Sequence, residues 1–169
     1  MKYKLKFMTD YGTNVLWAND IITSEKFGYL IDNLKELGLS EETINLNNEI
    51  VELSAQILNQ IYPPLPSFWS GKMFEYYQSK LKILYSKILD EIGEEFEIEN
   101  KEKEFMNEAI DVIGIDKELK SYLENPTKYY MQNNVSNSLS EEVSRIEAKK
   151  EYDNWIKKEI EYLKNYNNT

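Results

Sequence analysis

The chain has 169 residues and a net charge of −10, and it contains neither cysteine nor histidine. Without cysteine there are no disulfides, thiolate metal sites or cysteine nucleophiles, and without histidine the usual general base is missing. Arg145 is the only arginine, whereas a duplex-binding protein normally presents a basic, arginine-bearing face. Composition therefore argues against an enzyme and against direct nucleic-acid binding, and we expect no metal and no cofactor.

The hydropathy of the sequence predicts a buried core and no membrane span. Hydrophobic residues make up 41% of the sequence, which is enough for a buried core. No apolar run approaches the ~18 residues that a membrane span needs. The first residues alternate too regularly for the apolar centre of a signal peptide. We therefore expect a cytoplasmic protein with no membrane contact.

Period-two alternation predicts strands at both ends of the first hundred residues. Residues 2–8 carry apolar side chains on one face and lysines on the other, and residues 95–99 repeat the pattern with glutamates. Residues 15–18 predict a further strand, and residues 27–31 a possible fourth. If strands 2–8 and 95–99 are neighbours, Lys2, Lys4 and Lys6 face Glu95, Glu97 and Glu99, while Leu5, Phe7, Phe96 and Ile98 share the buried face.

Two helices are predicted between these strands. The first covers residues 40–61 and begins at Ser40 with two acids in its first turn. The second covers residues 71–92, is capped by Ser70, and ends before Gly93, where a left-handed cap is expected. The proline-rich turn of residues 62–69 between them suggests either a polyproline ligand or a packed connector. We favour the connector, with Phe68 and Trp69 buried in the core.

The remainder of the chain, from residue 101 to 169, has helical periodicity. Short helices are predicted around residues 105–113 and 116–124, the latter ended by Asn125 and Pro126, and a long helix follows a capping box at residues 138–141. The expected fold is α+β with helix dominant: a small antiparallel sheet of residues 2–8, 15–18 and 95–99 packed on helices. We expect an α+β domain of residues 1–100 and a helical extension of residues 101–169.

The densest cluster of acids lies where the second long helix meets the last strand. Three interpretations stay open for it: a solvated face, a docking patch for a basic partner, or a site for metal or carboxylate catalysis. Its spacing matches no calcium-binding loop. As partner-binding candidates we take Asp90, Glu91, Glu94, Glu95, Glu97, Glu99, Glu102 and Glu104 together with Tyr11. Further tyrosines with an exposed pattern are Tyr29, Tyr76, Tyr129, Tyr130, Tyr152, Tyr162 and Tyr166.

The order of short motifs in residues 3–99 resembles a known group of proteins. These motifs are residues 7–12, 16–17, 28–32 and 39–43, the prolines of residues 62–66 with Trp69, and Gly93 before residues 96–98. The chain resembles small bacterial proteins of the toxin-immunity type, encoded beside polymorphic or contact-dependent toxins. The resemblance implies binding to a toxin and implies no catalytic residue.

The expected function is therefore that of a cytoplasmic immunity protein, which binds and neutralises a basic toxin domain through an acidic, tyrosine-bearing surface. Two alternatives stay open. One is a phage- or plasmid-encoded inhibitor that imitates nucleic-acid charge, which needs acids spread along one face. The other is a carboxylate- or metal-dependent enzyme, which needs acids that converge on a pocket.

Overall fold

A computed structural model describes residues 2–10, 12–59, 61, 65–102, 118–132 and 139–166. These residues form an α+β fold in which helix dominates, as predicted. The elements in chain order are β1 (Tyr3–Phe7), β2 (Leu16–Ala18), α1 (Ile21–Phe27), a 3-10 helix (Leu34–Leu37), α2 (Glu41–Ser54), α3 (Gly71–Ile92), β3 (Phe96–Asn100), α4 (Leu119–Glu124), α5 (Pro126–Gln132) and α6 (Glu141–Tyr166).

Two compact units are present. One contains Met1–Ala55 and Tyr77–Ala109, and the other contains Gln56–Tyr76 and Ile110–Thr169. The first unit holds the sheet, and the second holds the end of the proline-rich turn together with α4, α5 and α6. The division at residue 100 into a domain and an extension stays a prediction.

The three strands form one sheet in the order β2-β1-β3. The predicted pairing of the lysine strand with the glutamate strand is confirmed: Lys4 lies opposite Glu97, and Lys6 lies opposite Glu99. The Lys4 Nζ and Glu97 Oε2 atoms are 3.9 Å apart. Beyond the strands, Glu95 lies in the turn before β3, and the Lys2 ammonium instead donates to the Gly93 carbonyl at 2.8 Å.

One feature of the predicted sheet is wrong. β1 and β2 are antiparallel, but β1 and β3 run parallel, so the sheet is mixed. Parallel neighbours require a long crossover, and the segment between β2 and β3, which contains α2 and α3, provides it. Residues 27–31 add only an isolated bridge between Leu30 and Trp17, beside a hydrogen bond from the Ala18 N–H to the Tyr29 carbonyl at 2.8 Å.

The buried face of this sheet forms the core of the first unit. Leu5, Phe7 and Phe96 are buried, and Ile98 is half-buried, in agreement with the predicted faces. Phe7 packs against Tyr85 of α3, with ring centroids 5.1 Å apart. The opposite face carries the paired lysines and glutamates and stays open to solvent. The sheet therefore has one dry face and one charged face.

The two long helices begin as predicted but differ in how they end. The Ser40 hydroxyl accepts the Thr43 N–H at 3.3 Å, and the Ser70 hydroxyl accepts the Met73 N–H at 3.1 Å. α2 ends at Ser54 rather than near residue 61, whereas α3 has the predicted bounds. Gly93 is not left-handed, unlike Gly38 at the end of the 3-10 helix. A Cβ at residue 93 would instead collide with the Leu89 carbonyl oxygen.

Phe68 and Trp69 are buried in the second unit, as the connector interpretation predicted. The Trp69 ring stacks on Trp155 with centroids 6.0 Å apart, and Phe68 lies edge-on to Tyr152 at 5.9 Å. Residues 62–64, which carry the first two prolines of the turn, lie outside the described residues. The Ser67 hydroxyl donates to the Ile57 carbonyl and fixes the described end of this connection.

The last helices agree in part with their prediction. Asn125 ends α4, and Pro126 opens α5, since proline has no N–H to leave unpaired at a first helical position. α6 is capped by Ser140, whose hydroxyl accepts the Val143 N–H at 3.3 Å. The predicted helix at 105–113 lies outside the described residues. No helix in the described part of the chain combines the length and apolar character of a membrane span.

The exposure expected for the tyrosines is wrong at several positions. Tyr76, Tyr129 and Tyr130 are buried in the described structure, and Tyr152 and Tyr162 are half-buried. Tyr29 and Tyr166 are the two that are exposed. Neighbouring aromatic rings explain the burial, because Tyr76 contacts Tyr162 and Tyr129 contacts Tyr122. These tyrosines therefore do not form an exposed, tyrosine-rich surface on the second unit.

Candidate partner-binding surface

The described acidic candidates fall into three groups: residues that hold the fold together, exposed residues of β3 that have partners, and exposed residues whose side chains have none in the described structure. Glu91 belongs to the first group. Its carboxylate accepts the Ser40 N–H at 2.8 Å and hydroxyl protons from Ser40 at 2.8 Å and Thr43 at 2.6 Å. Burial acts to raise the pKa of Glu91, but these hydrogen bonds outweigh it and hold the pKa below its usual value. Glu91 thus ties α3 to the start of α2.

Glu97 and Glu99 project from the charged face of the sheet. Glu97 is exposed and makes only the long contact with Lys4. Glu99 is 2.7 Å from the Lys101 ammonium and accepts a hydrogen bond from the Asn19 amide at 3.0 Å. Hydrogen bonding to Lys101 and Asn19 lowers the pKa of Glu99. Both side chains stay accessible, and exposed pairs of this kind contribute little to stability because solvent screens them.

Glu102 is buried and therefore unsuited to contact a partner directly. Its carboxylate oxygens accept the Thr9 N–H at 2.5 Å and the Thr9 hydroxyl at 2.7 Å. These bonds join the end of β3 to the chain that leaves β1. Burial raises the pKa of Glu102, although the Thr9 hydrogen bonds act in the opposite direction.

The raised pKa of Glu102 predicts a component of stability that is lost as pH increases. A carboxyl whose pKa is higher in the folded than in the unfolded chain binds its proton more tightly when folded. Its contribution is therefore fully present below the ordinary value of about 4.5 and falls as pH rises through the folded pKa. We expect Glu102→Gln to remove this component, so the free energy of unfolding of the parent minus that of the variant should decrease with pH.

Urea denaturation at a series of pH values measures this difference. Glu95→Gln is the matched control, because it makes the same chemical change at an exposed position of the same segment. A difference between parent and Glu102→Gln that stays constant over the series would contradict the prediction.

Asp90, Glu94 and Glu95 form the third group, which we call the acidic turn. All three are exposed, and within the described structure none of their side chains makes a hydrogen bond or salt bridge. They lie at the C-terminal end of α3, where the helix dipole is negative, and the last turn of α3 contains no basic residue. Lys87, in the preceding turn, is 2.8 Å from Glu42 of α2. The Lys2 ammonium donates to the Gly93 carbonyl beside this turn. Because neither Lys2 nor Lys87 forms a salt bridge with the three carboxylates in the described structure, a further cation would still be favoured at this end of the helix.

The remaining candidates, Tyr11 and Glu104, lie outside the described residues. Among the residues that the structure does describe, no three carboxylates or other ligands come together so as to hold a metal ion. None of the predicted acids lines the concavities of about 430 and 400 Å³ that are formed by described residues.

One concavity was not singled out from the sequence. It has a volume of about 430 Å³, lies beside the charged face of the sheet, and is lined by Lys6, Ala18, Asn19, Asp20, Ile21, Ser24, Glu25 and Tyr29. Of these residues, only Tyr29 was a candidate. The consecutive isoleucines Ile21 and Ile22 after the Asp20 cap were the available signal, but residues 21–39 fit both helix and strand patterns.

Comparison with known proteins adds no relative. No protein-family model, curated protein or solved structure matches this chain.

Proposed function

We propose that the protein is a cytoplasmic inhibitor of the toxin-immunity type, which binds a basic protein partner through the acidic turn and the adjoining strand β3. The observation that supports this most is the acidic turn itself. Three carboxylates lie at the negative end of a 22-residue helix with no basic residue in its last turn. Their mutual repulsion and the helix dipole are relieved when a cationic surface covers them.

Electrostatic attraction also suits an inhibitor that must find its target quickly. With a net charge of −10, the chain would attract a basic partner over a distance and raise the rate of encounter. Glu97 and Glu99 extend the acidic turn along β3, so the negative surface is longer than the turn alone. Aspartate and glutamate are acceptors only, and lysine and arginine on the partner are their natural counterparts.

The pairing of other acids favours this proposal over a mimic of nucleic acid. A mimic needs a continuous row of free carboxylates along one face. In the described structure Glu41, Glu42 and Glu49 of α2 each pair with a lysine, namely Lys35, Lys87 and Lys80. The acids of α2 are thus partly neutralised. Those of the acidic turn make no salt bridge in the described structure, although Asp90 lies near enough to Lys87 to interact with it electrostatically.

The proposal predicts that affinity depends on the acidic turn and not on total charge. The triple variant Asp90→Asn, Glu94→Gln and Glu95→Gln should bind the toxin domain encoded by the neighbouring gene about tenfold or more weakly, a loss of about 1.4 kcal/mol. Raising salt from ~50 to ~500 mM should weaken the parent complex in the same direction, because exposed charges are screened. Fluorescence anisotropy with the labelled toxin domain measures both effects.

A second triple variant removes the same charge elsewhere. Glu75→Gln, Glu124→Gln and Glu161→Gln are all at exposed positions outside the acidic turn, and binding should change little. Equal losses in the two triple variants would show that only net charge matters. No binding to the neighbouring toxin domain, or no protection of cells that produce it, would refute the proposal.

A further inference from the structure

Helix α1 carries the most exposed apolar side chains of the first unit. Ile21 is 76% exposed and Ile22 is 53% exposed, and Tyr29, two residues after the helix, is 57% exposed. Large apolar side chains that stand together on a surface often mark an interaction site. The same patch borders the concavity of about 430 Å³, which Ile21 and Tyr29 both line.

The two isoleucines are not required to hold α1 in place. Thr23 is the buried residue of this helix, and its hydroxyl accepts the Lys4 N–H at 2.9 Å. The Asp20 carboxylate caps the helix by accepting the Thr23 N–H at 2.7 Å. Phe27 completes the attachment through ring contacts with Tyr3 and Phe96. Ile21 and Ile22 are thus free to serve a contact outside the fold.

The aromatic wall of the concavity is held in a defined position. Tyr29 lies edge-on to Trp17, with ring centroids 5.6 Å apart. The Lys6 ammonium lies 5.1 Å from the Tyr29 centroid and 5.6 Å from that of Trp17, and it donates to the Tyr29 hydroxyl at 3.1 Å. A wall that is ordered before binding loses little conformational freedom on binding. Tyrosine is one of the residues enriched in binding hot spots.

The charges around the concavity indicate the sign of its occupant. Asp20 and Glu25 line it, and Lys6, the one cation among its lining residues, is already engaged by two aromatic rings. Asn19, a further lining residue, donates to Glu99 of β3. Glu99 also lies opposite Lys6 in the sheet. The apolar patch is therefore continuous with the acidic strand and is itself bordered by carboxylates.

We propose that the concavity receives an apolar or aromatic side chain that protrudes from a basic segment of the partner. This inference rests on the proposed function, and it adds an apolar anchor at one end of β3 to the acidic turn at the other. β3 has five residues and so spans roughly 16 Å at about 3.3 Å per residue. Both ends fit within one protein–protein interface of ordinary size, which buries about 800 Å² on each partner.

Two synthetic peptides test the anchor separately from the charge. The probes are acetyl-Lys-Lys-Phe-Lys-Lys-amide and the same peptide with serine in place of phenylalanine, titrated into the full 15N-labelled chain. We expect the phenylalanine peptide to shift the amide signals of residues 20–25 and 29 and to bind about five- to tenfold more tightly than the serine peptide. In the variant Ile21→Ser with Ile22→Ser, this advantage should disappear.

Ile83→Ser is the matched control, because Ile83 is 52% exposed on α3 and does not line the concavity. It should keep the full preference for the phenylalanine peptide. The 15N spectrum of each variant also shows whether the fold is retained, and Ile21→Ser alone, at the isoleucine that lines the concavity, is the milder substitution if the double variant is unfolded. Since neither isoleucine is buried, both variants should fold.

The outcomes separate this inference from the proposed function. If both peptides bind equally and shift only residues 90, 94 and 95, the apolar anchor is refuted while an acidic docking surface stands. If neither peptide shifts the acidic turn or β3, the proposed function loses its support. If the phenylalanine preference survives in the double isoleucine variant, its site lies elsewhere and the inference fails.

Discussion

Trp69→Ala is expected to destabilise the protein by about 3–5 kcal/mol, the cost of deleting a fully buried large aromatic side chain. Trp69 has no exposed surface and stacks on Trp155 at 6.0 Å with an interplanar angle of 12°. The side chain of Glu159 is buried and accepts the Trp155 indole N–H at 2.8 Å and the Ser70 N–H at 3.2 Å. Alanine at residue 69 would leave a cavity beside Trp155.

Urea denaturation followed by far-ultraviolet circular dichroism measures the loss without depending on the deleted fluorophore. Met131→Ala is the control, because Met131 is a large apolar residue of α5 in the same unit and is 78% exposed. Its effect should stay within about 0.5 kcal/mol, as is usual for surface positions. A loss for Trp69→Ala no larger than that of the control would overturn the assignment of Trp69 to the core.

Leu5→Ala is expected to cost about 2–5 kcal/mol, since Leu5 is fully buried at the centre of the middle strand. Its neighbours in the sheet are Ala18 of β2 and Ile98 of β3, so the deletion removes contacts on both sides. Lys4→Ala is the control on the same strand. Lys4 points to the charged face, and loss of its long contact with Glu97 should cost under about 1 kcal/mol.

Hydrogen exchange of the β1 amides, together with urea denaturation, measures both variants. Leu5→Ala should speed exchange along β1 much more than Lys4→Ala. If Leu5→Ala and Lys4→Ala changed exchange and stability by similar amounts, the face of the sheet that carries Leu5 would not be more deeply buried than the face that carries Lys4. A large effect of Lys4→Ala would mean that the lysine–glutamate pairs stabilise the sheet rather than only favour its register.

The neighbours of β1 were predictable because alternation encodes both the face and the charge of a strand. Lysines on one strand and glutamates on another are compatible with one charged face, and the structure places Lys4 opposite Glu97. The same pattern does not give direction. A period of two is unchanged when the strand is reversed, so the parallel arrangement of β1 and β3 depended on the path of the chain between them.

Helix starts were also predictable, because a cap is a local interaction. Ser40 and Ser70 bond to N–H groups three residues ahead, and both residues are visible in the sequence as caps. The ends of helices and the exposure of side chains were less predictable. α2 ends at Ser54, and turns follow it; further along, the Asn59 side-chain amide donates a hydrogen bond to the Pro66 carbonyl. Tyr129 and Tyr130 are both buried, although they are consecutive.

In the candidate site too, some features were visible in the sequence and others depend on the tertiary structure. The cluster of acids was visible in the sequence, but its members differ in ways set by distant residues. Glu91 is engaged by Ser40, which lies 51 positions away, and Glu102 by Thr9, which lies 93 positions away. Only such partners decide which carboxylates are left for another molecule, and they leave Asp90, Glu94 and Glu95.

By itself, the sequence determined that the chain has no cysteine or histidine side chain for chemistry, and it determined the faces of its strands and the starts of its long helices. Each of these follows from composition or from residues that are neighbours along the chain. The tertiary structure decided the direction of β3, the burial of the tyrosines, the acids that remain unpaired and the concavity beside α1. These depend on residues far apart in sequence that meet only when the chain folds.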